Sequence, residues 1–445
     1  MIASTLRAAA GDIRARIASP MFAASRAGRV VASEGLLVQV EGLDAAIGAR
    51  VEIELGDGLA LAEAEVIGFR AGRLLLMALG PAPVSPGAAA WLRGRADRVR
   101  VGPAMFGRIS GASGEPLDGK GAWRCPADWP LAGRPLPALD RAEVHEPLET
   151  GVRAIDTLLT LGRGQRVGLI AGSGVGKSVL MQQLARGARA DAVVIALIGE
   201  RGREIGSFLA QLSPAALARS HVVAVPADAA APLRLRGALS AFAIAEWLRA
   251  QGLHVLLIVD SLTRIAHAQR EIGLAAGEPP GRRGYPPSAL DMIPRLVERA
   301  GNDRAGGGAI TALMTVLADG DDLVSDPVVD TARGVLDGHI LLDRAIAGRG
   351  RFPAIDLGNS LSRTMADCVG PAHLAAATRF RRDMALVEAN RDLVAMGAYA
   401  RGHDLMLDRA LEGAAAMESF LAQAQPEQHA MADSLAALLA GWGAE

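Results

Sequence analysis

The sequence predicts an α/β core set between a small N-terminal all-β domain and a helical C-terminal domain. Three observations predict it. After Pro147, strand-length apolar runs alternate with helical stretches, the pattern of a parallel sheet with crossover helices. Before that, from Gly28 to about Gly94, short strand-like runs are punctuated by Gly and Pro. Beyond Pro371 the chain is rich in Ala and Leu, with helical periodicity and almost no strand signal. The boundaries drawn from these changes are 1–20 for an N-terminal amphipathic segment, 21–95 for the β domain, 96–370 for the α/β domain and 371–445 for the helical domain.

The first residues, Met1 to Ile17, mix small apolar residues with Arg7, Arg14 and Arg16 and lack the apolar core of a signal peptide. They read as a frayed amphipathic helix or as a docking helix for a partner or a membrane surface. In the β domain, Arg29–Val31, Leu36–Val40, Arg50–Leu55, Ala62–Phe69 and Arg73–Met77 read as strands of a small barrel or sandwich. Its charges are balanced and its aromatics few (Phe22, Phe69, Trp91), whereas an oligonucleotide-binding barrel wants a basic groove with stacking aromatics. A structural or ring-forming role is therefore expected for it. Val99 to Arg141, dense in Gly and Pro, reads as an ordered connector with turns.

The α/β domain is predicted from strands at Val167–Ala171, Ala192–Ile198, Val222–Val225, His254–Val259 and Ala309–Val316. Helices are predicted at Lys177–Ala190, near Glu204–Gln211, around Pro232–Gln251 and near Pro287–Ala300. In the C-terminal domain Leu386, Leu393, Met396 and Tyr399 recur at helical intervals, as do Leu407 and Leu411, and the helices end near Leu439.

Composition narrows the function classes. Half of the 445 residues are apolar, enough for a large core, so wholesale disorder is excluded. The 47 basic and 48 acidic residues leave a formal charge of −1, against a general nucleic-acid or polybasic membrane binder. No apolar run reaches the roughly 18–20 residues that span a bilayer. The two cysteines, Cys125 and Cys368, exclude a disulfide scaffold and a Cys-based zinc site, and a reducing cytosol is the natural compartment. Of the 47 basic residues only Lys120 and Lys177 are lysine. A lysine retained against such a bias marks a place where a guanidinium cannot do the chemistry.

Lys177 stands in such a place. Ala171-Gly172-Ser173-Gly174-Val175-Gly176-Lys177-Ser178 follows an apolar strand and opens a helix, the context that the phosphate-binding G-x-x-x-x-G-K-[ST] motif requires. The glycines let backbone N–H groups turn inward around phosphate oxygens, and the helix N-terminus adds partial positive charge. Lys177 reaches the β- and γ-phosphates as a slim point charge, and the Ser178 hydroxyl is a Mg²⁺ ligand. The nucleotide-binding run is Gly172, Ser173, Gly174, Val175, Gly176, Lys177, Ser178 and Val179. Ala171 stands where the consensus has its first Gly.

The run His254–Val259 ends in Asp260, a strand-end carboxylate positioned to hold Mg²⁺ through water. Glu200 follows the Val193–Ile198 run and either orients a water against the γ-phosphate or is a carboxylate at a helix N-terminus. In the segment from Arg351 to Arg363, Phe352 is a candidate to stack on adenine and Arg363 to act as an arginine finger. On the residues alone a core aromatic and a solvated charge are the plainer readings.

Together these motifs resemble the catalytic-type subunits of rotary ATP synthases, and more narrowly the type III protein-export ATPases, particularly the flagellar one. The residues that carry the resemblance run from Glu146-Pro147-Leu148-Glu149-Thr150-Gly151 through the Lys177 loop and Gly199-Glu200-Arg201-Gly202-Arg203-Glu204. It continues through Asp260-Ser261-Leu262-Thr263-Arg264, Gly284-Tyr285-Pro286-Pro287-Ser288, Leu296–Gly301 and Leu336-Asp337-Gly338-His339-Ile340. The resemblance implies a RecA-like P-loop ATPase core with an N-terminal β-barrel and a helical C-terminal domain, assembled as a homohexamer with ATP and Mg²⁺ at subunit interfaces. It implies that Glu200 polarises the attacking water, counts Arg201 among the catalytic residues, makes Arg363 a finger acting across the interface and puts Phe352 where relatives commonly have a Tyr against adenine. The implied partners are a stator-like regulator at the N-terminal helix, export chaperones and substrates, and an export gate, with the protein cytoplasmic and peripheral to the inner membrane. Nucleic acid is not expected as a partner. The alternatives are the ATPase of a virulence-type secretion system, a ring subunit that binds nucleotide without hydrolysing it, and an RNA-translocating hexamer.

Overall fold

The computed structural model describes residues 27–56, 60–80, 82–93, 97–172, 174–317 and 326–443. The expected N-terminal helix, Phe22 and Ser173 lie outside the described residues.

The chain divides into two units. One takes the chain up to Arg98 with Ala229–Leu233 and Ala268–Pro279, and the other takes Val99–Asp228, Arg234–His267 and Pro280–Glu445. In the first, six antiparallel strands form a closed barrel: Gly28–Glu34, Leu37–Glu41, Arg50–Glu54, Leu61–Arg70, Arg73–Ala78 and Ala89–Leu92. The sequence leaves barrel and sandwich both open. Closure comes from Ala89–Leu92, which pairs with both Gly28–Glu34 and Arg50–Glu54 and so leaves no free edge. Alternating residues such as Val38, Val40, Val51 and Ile53 fill the interior. Phe69, read as one of the few barrel aromatics, is 71% exposed.

The second unit is built on a ten-stranded sheet. Seven parallel strands run in the order Gly338–Leu342, Arg166–Ala171, Ala309–Leu317, His254–Asp260, Ala192–Glu200, Ser220–Pro226 and Arg108–Ser110. Ile355–Ser362 adds an antiparallel edge beside Gly338–Leu342. Ala192–Glu200 is buried along its whole length, as a central strand covered on both faces must be, which is why it is uninterruptedly apolar before Glu200. The Gly-rich connector contributes more than turns: its Arg108–Ser110 segment extends the parallel sheet beside Ser220–Pro226.

Helices at Pro371–Ala389, Arg391–Ala395, Leu405–Leu421 and Met431–Trp442 follow the sheet. Phe380, Phe420 and Trp442 cluster, with the Phe380 ring centroid 5.4 Å from that of Phe420 and 4.6 Å from that of Trp442. Phe380, Met417, Phe420 and Leu438 belong to the same apolar core as Leu169 and Ile195 of the sheet. Met396 and Tyr399 do not continue the helical repeat of Leu386. Asn390 separates two helices, the second ends at Ala395, and Gly397 takes a left-handed φ of 69°. Among the described residues no helix is long and apolar enough to cross a membrane.

Candidate active site

Adjacent parallel strands deliver the site's chemistry at their C-terminal ends, where such sheets present ligand sites. Arg166–Ala171 runs into the Gly-rich loop, and the helix Lys177–Gly187 begins at the lysine. Gly174 and Gly176 have φ of 79° and 94°, conformations that L side chains rarely adopt. Gly176 is the residue immediately before the helix, so the backbone turns there and the first N–H groups of the helix face the loop. Ser178 and Val179 lie in the first turn of that helix, and Val175 is buried.

The Lys177 side chain is largely buried and reaches two carboxylates. Its Nζ donates to Asp260 Oδ1 at 2.5 Å and lies 3.5 Å from Glu200 Oε1. Asp260 ends the His254–Asp260 strand and Glu200 ends its neighbour. The strand between Asp260 and the loop's own strand is Ala309–Leu317, in which Thr315 Oγ1 donates to Asp260 Oδ1 at 2.5 Å. Sequence reasoning misses Thr315. The available signal is a buried hydroxyl within the largely apolar run Ala309–Leu317, and Thr315 has no exposed surface.

Glu200 is 8% exposed and its Oε1 has no hydrogen-bond partner within the chain. Burial, then the Asp260 charge, push its pKa above the usual carboxylate value, against the opposing pull of Lys177. An acceptor oriented beside a cation with no donor of its own is suited to a water molecule. Arg264, one helical turn past Asp260 on the helix Leu262–Ala275, also acts to lower the Glu200 pKa, and its buried Nε has no hydrogen-bond partner. Arg201 is exposed and caps the helix Gly202–Gln211 through its backbone: its C=O accepts from Glu204 N at 2.8 Å and Ile205 N at 3.0 Å.

Beside the loop lies a cavity of about 330 Å³ lined by apolar Val175, Val179, Leu342, Phe352 and Ala354 and by Gln183, Gln423 and Gln425. Phe352 is 45% exposed rather than a core aromatic, and its ring edge lies 3.6 Å from where a Cβ on Gly176 would stand. The Phe352 carbonyl accepts from Gln423 N at 2.8 Å. Gln183 and Gln423 come from opposite parts of the sequence, with Gln183 Nε2 donating to Ala424 O at 3.2 Å. No local pattern marks them.

Arg363 is not brought to this cluster. Leu342 pairs with Ala171 beside the loop and with Ile355; Ser362 pairs with Gly338 at the far end. Arg363, exposed and donating to Arg333 O at 3.4 Å, lies level with Arg166 and so roughly 17 Å along the strands from Ala171, where the loop of its own chain begins, at about 3.3 Å per residue.

A Gly-rich loop, a helix start, a lysine and two strand-end carboxylates on this sheet order define a P-loop nucleotide-binding protein. Residues 151–362 match the ATP synthase alpha/beta family, nucleotide-binding domain, and residues 369–440 match the T3SS EscN ATPase C-terminal domain. The flagellum-specific ATP synthase of Pseudomonas aeruginosa is 48% identical over 422 residues, 93% of each chain. The type 3 secretion system ATPase of Xanthomonas euvesicatoria is 44% identical over 412 residues, 92% of each chain. Among solved structures, the assembled ATPase EscN of the enteropathogenic E. coli type III secretion system superposes with a TM-score of 0.88 at 38% identity, covering 94% of this chain and all of that one. The chain belongs to the family of flagellum-specific ATP synthases and type III secretion ATPases, and it is an ATPase.

Proposed function

We propose that this chain hydrolyses Mg-ATP at the interfaces of a homohexameric ring and so assists export of flagellar proteins through a type III apparatus. The observation that carries the reading is the cluster of Lys177, Asp260 and Glu200 at the end of the Gly-rich loop. Lys177 neutralises the β- and γ-phosphates, the loop amides from Gly172 to Ser178, with Ser173 among them, cradle them, and Val179 and Phe352 border the base. A hydroxyl and a carboxylate form the hard oxygen donor set that suits Mg²⁺, so Ser178 and Asp260 are the residues to hold it. When bound, that ion draws charge from the transferring phosphoryl group. Glu200 orients the water through its unsatisfied Oε1, and Arg201, the next residue in the chain, is counted among the catalytic residues in this reading. Arg363 serves the site of a neighbouring copy, since its own loop lies at the other end of the sheet.

A second solved structure, at TM-score 0.86 and 37% identity, is of assembled EscN in complex with its central stalk EscO. By that likeness a stalk-like partner belongs with this ring too. The same reading places the ring in the cytoplasm, peripheral to the inner membrane, with a stator-like regulator, chaperones and substrates, and the export gate as contacts. The flagellar system is favoured over the virulence type by 48% against 44% identity. The test is twofold. Phosphate release by the purified chain should require Mg²⁺ and rise more steeply than linearly with protein concentration as rings form. Expression in a flagellate bacterium lacking its own export ATPase should restore swimming. Release linear in concentration at all dilutions would argue against the ring.

A further inference from the structure

A second cavity, of about 470 Å³, lies away from the Lys177 cluster, between the edge strand Ile355–Ser362, the short helix Arg344–Gly348 and the helix Pro371–Ala389. Three arginines line it: Arg349, Arg351 and Arg381. Arg351 is 7% exposed, yet its Nε and Nη1 have no hydrogen-bond partner within the chain; only Nη2 is used, donating to Ile355 O at 3.1 Å. Among the described residues the carboxylate within ion-pair distance of it is Glu418, 3.6 Å from Nη1, beyond hydrogen-bond reach and with its side chain 42% exposed; the charges of Glu388 and Asp356 act on it from further away. Arg381 spends its donors on the carbonyls of Leu158, Leu357 and Ser360, so its charge meets no carboxylate directly.

The acids of the cavity wall are already engaged. Asp343 accepts from Ile346 N, Asp356 accepts from Asn359 N and Nδ2, and Glu388 pairs with Arg349 at 3.6 Å and Arg391 at 3.1 Å. A buried guanidinium left with unmade hydrogen bonds is costly, and burial accordingly lowers the Arg351 pKa. Guanidinium forks match the oxygens of phosphate and carboxylate groups in geometry and charge.

We propose that this cavity is a binding site for a small oxyanion, phosphate or carboxylate, held by the free Nε and Nη1 of Arg351 with Arg349 at the rim. The site is independent of the nucleotide reading, and the experiment keeps the two apart by filling the loop first. Protein saturated with Mg²⁺ and a non-hydrolysable ATP analogue is titrated calorimetrically with inorganic phosphate, and separately with succinate, at constant ionic strength. Saturable binding of one anion per chain is expected; phosphate alone assigns a phosphoryl ligand and succinate alone a carboxylate. Arg351→Met should weaken binding at least tenfold. Because that variant alters a buried position, Arg349→Ala at the rim serves beside it and should weaken binding several-fold. Glu418→Gln, which removes the competing carboxylate, should tighten it. No saturable binding of either anion, or equal binding in all four proteins, overturns the proposal.

Discussion

Lys177 Nζ and Asp260 Oδ1 are in hydrogen-bond contact at 2.5 Å, although 83 residues separate them in sequence. The contact ties the phosphate loop to the strand-end acid, and the lysine is the only cation within ion-pair distance of both Asp260 and Glu200 among the described residues. Lys177→Ala would leave two buried carboxylates facing each other, with the Glu200 pKa driven higher still. Turnover should fall below detection in a phosphate-release assay while the far-ultraviolet circular dichroism stays that of the wild type. Normal turnover would remove the loop from the catalytic account.

Thr315 holds the oxygen that Lys177 touches. Its Oγ1 donates to Asp260 Oδ1 from the intervening strand, so Thr315→Val keeps the shape and deletes the donor. Groups that orient a metal-holding carboxylate are commonly worth about 10–100-fold in affinity or activity. Thr315→Val should raise the Mg²⁺ concentration giving half-maximal turnover by about that factor, and Thr315→Ser should restore it. A purely structural threonine would lower the thermal midpoint without moving the Mg²⁺ dependence.

The water-orienting role proposed for Glu200 implies a pH dependence of definite sign. The carboxylate must be ionised to accept a hydrogen bond from the attacking water, and burial and Asp260 raise its pKa. As pH falls through that raised value, Glu200 takes up a proton and kcat/KM declines, at a pH above the ordinary carboxylate range. Glu200→Gln should bind nucleotide, lose most turnover and lose this acid limb from the residual rate. An acid limb unchanged in Glu200→Gln would assign it to another group.

The parts of the site encoded within a few consecutive residues are legible in sequence. The loop from Gly172 to Ser178 is one such segment, and Asp260 and Glu200 each close an apolar strand. What is not legible depends on strand order. Thr315 acts because its strand lies between two others, and Gln183 meets Ala424 only once the C-terminal helices share the sheet's core. Arg108–Ser110 is three residues long and becomes a strand only through its pairing with Ser220–Pro226, so no periodicity within it can be read. Met396 and Tyr399 show the reverse error: helical spacing continues in the sequence past the point where Asn390 and Gly397 turn the chain.

Phe352 borders the loop at Gly176, half-exposed and walling the cavity beside the loop. An aromatic ring stacked on a base is worth about 1–3 kcal/mol by alanine substitution in nucleic-acid grooves, a factor of roughly 5–150. Phe352→Ala should therefore raise KM for ATP within that range with little change in kcat, because the stacking is the same in ground and transition states. Phe352→Tyr should bind as the wild type does. Equal KM in all three proteins would show that the base does not sit against this ring.

The strand register gives Arg363 its own test. Ser362 pairs with Gly338 while Ile355 pairs with Leu342, so Arg363 and Lys177 of one chain lie at opposite ends of the sheet and cannot meet at one γ-phosphate. Arg363→Ala should bind nucleotide normally and hydrolyse it about 10³-fold or more slowly, the range for finger residues. Glu200→Ala should be inactive for a different reason, the loss of the group that orients water. Mixed rings of the two variants contain interfaces at which an intact Glu200 faces an intact Arg363, so mixing them should recover part of the wild-type rate, highest near equal proportions. No recovery at any ratio, in samples shown to exchange subunits, would place the finger's role within a single chain, against the register.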